Sequence, residues 1–117
     1  MKVVSTSTLG FPRMGANREL KFALEKHWKG LITEDELMKV SHAVEDGAWD
    51  LQKKAGVDRI TVGDQYLYDG ILTWTNYLGV VPKRFQEMKP GTARMFAMAR
   101  GMDGATALSK SQMRAYS

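Results

Sequence analysis

A chain of 117 residues with 44% hydrophobic content fits the usual size of one domain and carries enough apolar side chains for a core. Its 17 Lys+Arg against 13 Asp+Glu give +4, a mildly basic balance that suits an acidic small ligand or an ordinary soluble surface. The cations are spread from Lys2 to Arg114 rather than gathered on one aromatic stripe, which argues against nucleic acid; the lack of Cys excludes disulfides and thiolate metal sites within the chain, and no apolar run approaches the ~20 residues of a membrane span.

The opening MKVVSTSTL is too short and polar for a signal sequence. Gly10, Pro12 and Gly15 interrupt any amphipathic targeting helix, so the cytoplasm is the default location. Residues 2–8, KVVSTST, are β-branched and read as a strand. Residues 9–17 form a loop broken by Gly10, Pro12, Gly15 and Asn17. Asn17 is placed to cap a helix from Arg18 to about Lys29, with Leu20, Ala23, Leu24, His27 and Trp28 on its apolar face. Phe22 falls on the polar side and hints at a second packing partner.

Gly30 ends that helix, and Thr33 with Glu36 predicts a capping box for a longer one. Leu37, Val40, Val44, Ala48, Leu51 and Ala55 fall on one stripe, closed by Gly56. Arg59 to Val62 reads as a second strand, followed by Gly63-Asp64. A third helix fits Tyr66 to Leu78, with Leu67, Ile71, Trp74 and Leu78 inward and Gly79 at its end; a fourth fits Ala93 to Arg100. The order strand, helix, helix, strand, helix, helix is α/β logic with a parallel sheet. Two strands are too few for a closed barrel and leave parallel edges unpaired, so self-association is expected.

The segment TLGFPRMGANRELK, Thr8 to Lys21, sets three cations around a helix start: Arg13, Arg18 and Lys21. A helix N-terminus carries partial positive charge, so cations there repel it unless an anion lies between them. The plainer reading is a solvated helix face, with Lys21–Glu25 and Glu25–Lys29 as ordinary i,i+4 pairs. For Arg13 the spacing leaves two roles equally open, fixing the loop through backbone carbonyls or touching a ligand. Asp64 suits the N-cap of the next helix better than a catalytic role. Asp69 lies inside the predicted third helix, and Tyr66 and Tyr68 suit packing at its start. His27 reads as a core histidine and His42 as a surface partner of Asp46. Neither has metal-ligand spacing, and Met95, Met98 and Met102 read as core.

LGFPRMGANRELK strongly resembles the opening of cobalamin-independent methionine synthase, as does GVDRITVGDQYLYDGILTWTNYLGVVPKRF at 56–85. The resemblance runs over about residues 5–100 in one register. It implies the first βα units of a (β/α)8 TIM barrel over residues 1–100, with residues 101–117 a divergent or truncated tail. It implies an enzyme family that moves a methyl group from 5-methyltetrahydropteroyltriglutamate to homocysteine, using zinc held in a C-terminal domain. No cofactor, metal or catalytic residue is expected in this chain, and homocysteine would need that other domain. In the family the Arg-Glu-Leu-Lys segment binds the folate polyglutamate tail, which here is Arg18, Glu19, Leu20 and Lys21. Arg13 is a further candidate anion contact on the residue reading, with loop fixing equally open. Lys110 lies near the position of another tail-binding lysine, but Ser109 to Ser117 do not match and the role is not carried over. Two alternatives stand beside a methionine-synthase segment that is not catalytic alone. One is a separate polyglutamyl-folate-binding module, the other a small α/β interaction protein.

Overall fold

The computed structural model describes residues 4–101. Expectations placed on residues 1–3 and 102–117, including Lys2, Met102, Lys110 and the tail, lie outside the described residues. The chain divides into two compact units, the first ending at Leu67 and the second beginning at Tyr68.

In the first unit, α1 (Glu19–Trp28) packs against α2 (Glu34–Lys54). Leu20, Ala23 and Leu24 of α1 and Leu37 of α2 are its buried apolar side chains. Fully burying a leucine contributes about 1.5–3 kcal/mol, so Leu20 and Leu37, both 0% exposed, supply much of this small core. The capping box at Thr33 is present in full. The hydroxyl of Thr33 accepts from Glu36 N–H, and the Glu36 carboxylate accepts from Thr33 N–H at 2.8 Å. That backbone bond, with the Thr33 hydroxyl, holds the Glu36 carboxyl below its ordinary pKa.

Three glycines end helices as the sequence implies, and each closes a paired-bond turn. Leu31 N–H donates to Lys26 and Gly30 N–H to His27. Val57 with Gln52, Gly56 with Lys53, Val80 with Thr75 and Gly79 with Asn76 repeat the pattern. Gly30, Gly56 and Gly79 all have φ between 71° and 81°, a region where a side chain is strained. His27 is half-buried, its Nδ1 3.2 Å from the Ile32 carbonyl.

Four expectations need correction. The two strands are not formed: among the described residues β structure is limited to one parallel bridge, Ser7 with Arg59. The parallel direction is the expected one, but side chains capture the backbone groups that would extend a ladder. Asp58 carboxylate takes Thr6 N–H at 2.8 Å, and Thr61 hydroxyl takes the Thr8 carbonyl. The described chain is thus helix-rich, with a parallel β contact and no barrel in it.

The second correction is the buried line of α2, which runs through Leu37, Ser41 and Gln52 instead of the full valine stripe. Gln52 is tolerated inside because its amide is satisfied: Nε2 donates to the Ala48 carbonyl at 3.1 Å, and Oε1 accepts from Thr8 hydroxyl at 2.7 Å. Val40, Val44, Ala48 and Leu51 instead line an open apolar groove with Phe11 and Pro12. Leu51 stays 58% exposed.

The third correction concerns α3, which spans only Gly70–Tyr77. Asp69 is its N-cap, accepting from Leu72 N–H at 2.7 Å, so Asp69 is neither interior to the helix nor unassigned. Ile71, Trp74 and Leu78 face outward, with 84%, 56% and 72% of their surface exposed. The buried residue of α3 is Thr73, whose hydroxyl donates back to the Asp69 carbonyl.

The core of the second unit is Phe85, from a short 3-10 turn (Lys83–Phe85), with Met95, Phe96 and Ala97 of α4 (Thr92–Arg100). Arg94 is buried beside them. Its guanidinium donates to Asn76 Oδ1 at 2.9 and 3.0 Å and to the Asn76 carbonyl at 3.4 Å. A charge taken from water needs such partners, and these bonds tie α4 to the end of α3. The fourth correction is the cap of α1, described with the site it shapes.

Candidate functional site

The loop before α1 is held by residues far away in sequence but within the same unit. Asp64 Oδ2 accepts from Phe11 N–H at 2.9 Å. A Cβ on Gly10 would lie 2.9 Å from that same oxygen, so only glycine lets the carboxylate come this close. Arg13 Nη1 donates to the Tyr66 carbonyl at 2.8 Å, and Gln65 Nε2 donates to the Arg13 carbonyl at 3.0 Å. Asp64 therefore latches the loop and does not cap a helix. Of the two roles open to Arg13, the loop-fixing one is present.

The latched loop then turns sharply into α1. Arg18 N–H donates to the Gly15 carbonyl at 3.1 Å and Leu20 N–H to the Met14 carbonyl at 3.0 Å. Arg18, not Asn17, occupies the N-cap position, at φ 60° and ψ 36°, with no side-chain cap bond. It is the only non-glycine residue at positive φ among the described residues. A left-handed backbone costs an L-residue about 1–2 kcal/mol. The Glu19 side chain closes back over this turn. Its Oε2 reaches back to accept from Asn17 N–H at 3.0 Å, and Oε1 lies 3.5 Å from Asn17 Nδ2. Both contacts use Asn17 as a donor, through its backbone N–H and its Nδ2.

This turn sorts the four residues of the Arg-Glu-Leu-Lys segment by direction. Leu20 is 0% exposed and belongs to the core. Glu19 folds back onto the loop, where its carboxylate accepts from Asn17 N–H. Arg18 and Lys21 both lie against the ring of Phe22, with Arg18 Cζ 5.5 Å and Lys21 Nζ 5.2 Å from its centroid. Lys21 also pairs with Glu25 at 3.1 Å, both side chains nearly half exposed. Two cations thus stand beside the N-terminal end of a ten-residue helix. That end also carries partial positive charge, and the nearby carboxylates of Glu19 and Glu25 are engaged with Asn17 N–H and Lys21. The spacing of Arg18 and Lys21 was readable in the sequence. The role of Phe22 was not, although its position on a polar helix face was the available sign.

Among the described residues no three His, Cys, Asp or Glu side chains are grouped to hold a metal ion. With no Cys in the chain, the thiolate donors of a zinc site are missing as well. Zinc does not fit the described residues. No helix of the described residues is long and apolar enough to cross a membrane.

Residues 5–115 match the family described as cobalamin-independent synthase, N-terminal domain. A protein of Trichodesmium erythraeum named 5-methyltetrahydropteroyltriglutamate–homocysteine methyltransferase is 51% identical over 105 residues, covering 90% of this chain and 14% of the relative. Proteins of the same name in Synechococcus and Nitrosomonas europaea are 48% and 52% identical over 88% and 82% of this chain. The chain spans about 14% of the length of the first two of these relatives. With nearly its whole length matched, the chain belongs to the family of cobalamin-independent synthase N-terminal domains.

Proposed function

We propose that this chain supplies the anchor for the polyglutamate tail of 5-methyltetrahydropteroyltriglutamate in a methyl transfer to homocysteine. The substrates are those in the relatives' names. The observation that carries the reading is that Arg18 and Lys21, at the start of α1, both contact the Phe22 ring while the Glu19 carboxylate is engaged by Asn17 N–H. Glutamyl carboxylates are accepted well by such charges, because ion-assisted hydrogen bonds are the stronger kind. The anchor is remote from the reacting methyl group, and binding energy there positions the reacting end of the substrate.

In this reading the methyl transfer itself needs residues outside the 14% of the relatives' length that this chain covers, including the zinc site of the family. The chain is then a non-catalytic part of the enzyme's first (β/α)8 barrel, acting in the cytoplasm. The single parallel bridge between Ser7 and Arg59 supports that architecture as its first pairing. The test is a calorimetric titration with triglutamyl and monoglutamyl 5-methyltetrahydrofolate. The triglutamyl form binds more tightly, and Arg18→Ala with Lys21→Ala erases the difference. Equal binding of both forms by the parent chain overturns the proposal.

A further inference from the structure

We infer that Phe22 is a positioning residue that sets the selectivity for tail length by restraining both Arg18 and Lys21 against its ring; the inference rests on the tail-anchoring role proposed above. Phe22 is 44% exposed on the polar face of α1, where the sequence gives an aromatic residue no core to enter. Both cations of the site take its ring as a neighbour, at 5.5 and 5.2 Å from the centroid. Lys21 is also held by its pair with Glu25 at 3.1 Å, whereas the ring is the contact it shares with Arg18. The electron-rich ring attracts each of them, which restrains both arms about one shared point.

The backbone adds to this. Arg18 is held in a left-handed conformation by the loop bonds to Gly15 and Met14, so its side chain leaves the chain from a fixed point one turn before Phe22. The strained residue and the ring then act as one device. The turn fixes the base of Arg18, and Phe22 fixes its tip. Backbone strain of this kind gathers at sites where a side chain must be presented in one direction. A ligand with a single carboxylate uses one arm, whereas a ligand with successive carboxylates uses both. Pre-ordering the pair therefore favours the longer tail.

The experiment is the same titration on the full chain with Phe22→Leu and Phe22→Trp. Leucine keeps apolar bulk without a ring face, and tryptophan keeps the ring. The expected result is that Phe22→Leu lowers the ratio of triglutamyl to monoglutamyl affinity by about fivefold, from the usual strength of exposed cation–ring contacts. Phe22→Trp keeps the ratio, and the thermal melt of both variants stays at the parent value because the side chain is not in the core. A general loss of fold would lower both affinities together and would show in the melt. If the parent prefers the longer tail and Phe22→Leu keeps the full preference, the role of Phe22 is overturned and the anchor stands. If the parent shows no preference and Arg18→Ala is silent, the anchor and the Phe22 role fall together.

Discussion

The replacement of Gly15 by Ala tests how the turn before α1 is built. Gly15 has φ 87°, and a Cβ there would collide with the Glu19 carboxylate and come within 3.3 Å of Val44 Cγ2. Two separate costs follow. Placing Ala in the left-handed region costs about 1 kcal/mol or slightly more. Pushing the Glu19 carboxylate aside breaks its bond to Asn17 N–H, a further loss of about 1 kcal/mol for an exposed charge-assisted bond. Gly15→Ala alone is therefore expected to lower stability by about 2 kcal/mol. Glu19→Ala alone loses only the bond, about 1 kcal/mol. In the double variant the methyl group meets no carboxylate, and the bond is already gone. It should cost no more than Gly15→Ala alone, falling short of additivity by about 1 kcal/mol. Urea unfolding of the parent and the three variants, with equal slopes, measures the cycle. Additivity within about 0.5 kcal/mol would refute the claim that Glu19 occupies the space a side chain at Gly15 needs.

Two further outcomes are expected. Thr33→Ala removes the cap of α2 and lowers stability by about 1 kcal/mol near neutral pH. Because the folded state lowers the pKa of Glu36, that carboxylate adds stability above its ordinary pKa and loses it as pH falls through the lowered value. The gap between parent and Thr33→Ala in a denaturant series should therefore narrow in acid, and a gap that widens there would contradict the capping account. Asp64→Ala leaves Phe11 N–H without its acceptor and frees the loop before α1. Hydrogen exchange at Phe11 should then quicken by roughly tenfold, matching a lost bond of about 1.4 kcal/mol, while unchanged exchange would show that the latch contributes nothing.

Much of this organisation was legible in the sequence, and the failures share a physical cause. The start of α2 and the glycine-closed ends of α1, α2 and α3 were readable because they depend on local chemistry: Thr33 with Glu36, and glycine where the chain turns left-handed. Elements that depend on distant partners were not. The strand reading of residues 2–8 and 59–62 rested on β-branched residues, yet Thr6, Thr8 and Thr61 spend their hydroxyls on bonds that interrupt a ladder. The inward stripe of α3 failed because hydrophobic spacing says nothing about whether a partner surface is present. Ile71, Trp74 and Leu78 have the spacing and remain exposed. In the site, Arg18 and Lys21 were visible as cations that break the rule for a helix start. The left-handed turn at Arg18 was not, since nothing local marks an arginine for that backbone. It is accompanied by the backbone bonds of Arg18 to Gly15 and of Leu20 to Met14. Arg94 was missed for a similar reason, because its burial is sustained by Asn76 eighteen residues away.

The central claim is that the start of α1 receives the carboxylates of a polyglutamate tail. Its most direct measurement is an amide and side-chain NMR titration of the chain with tri-γ-glutamate, which isolates the tail from the rest of the folate. The account predicts saturable shifts of the Arg18 and Lys21 side-chain resonances and of the Phe22 ring, weakened by salt, with Leu20 and the core of α2 unmoved. Saturable shifts centred elsewhere, or none at Arg18 and Lys21, would contradict it.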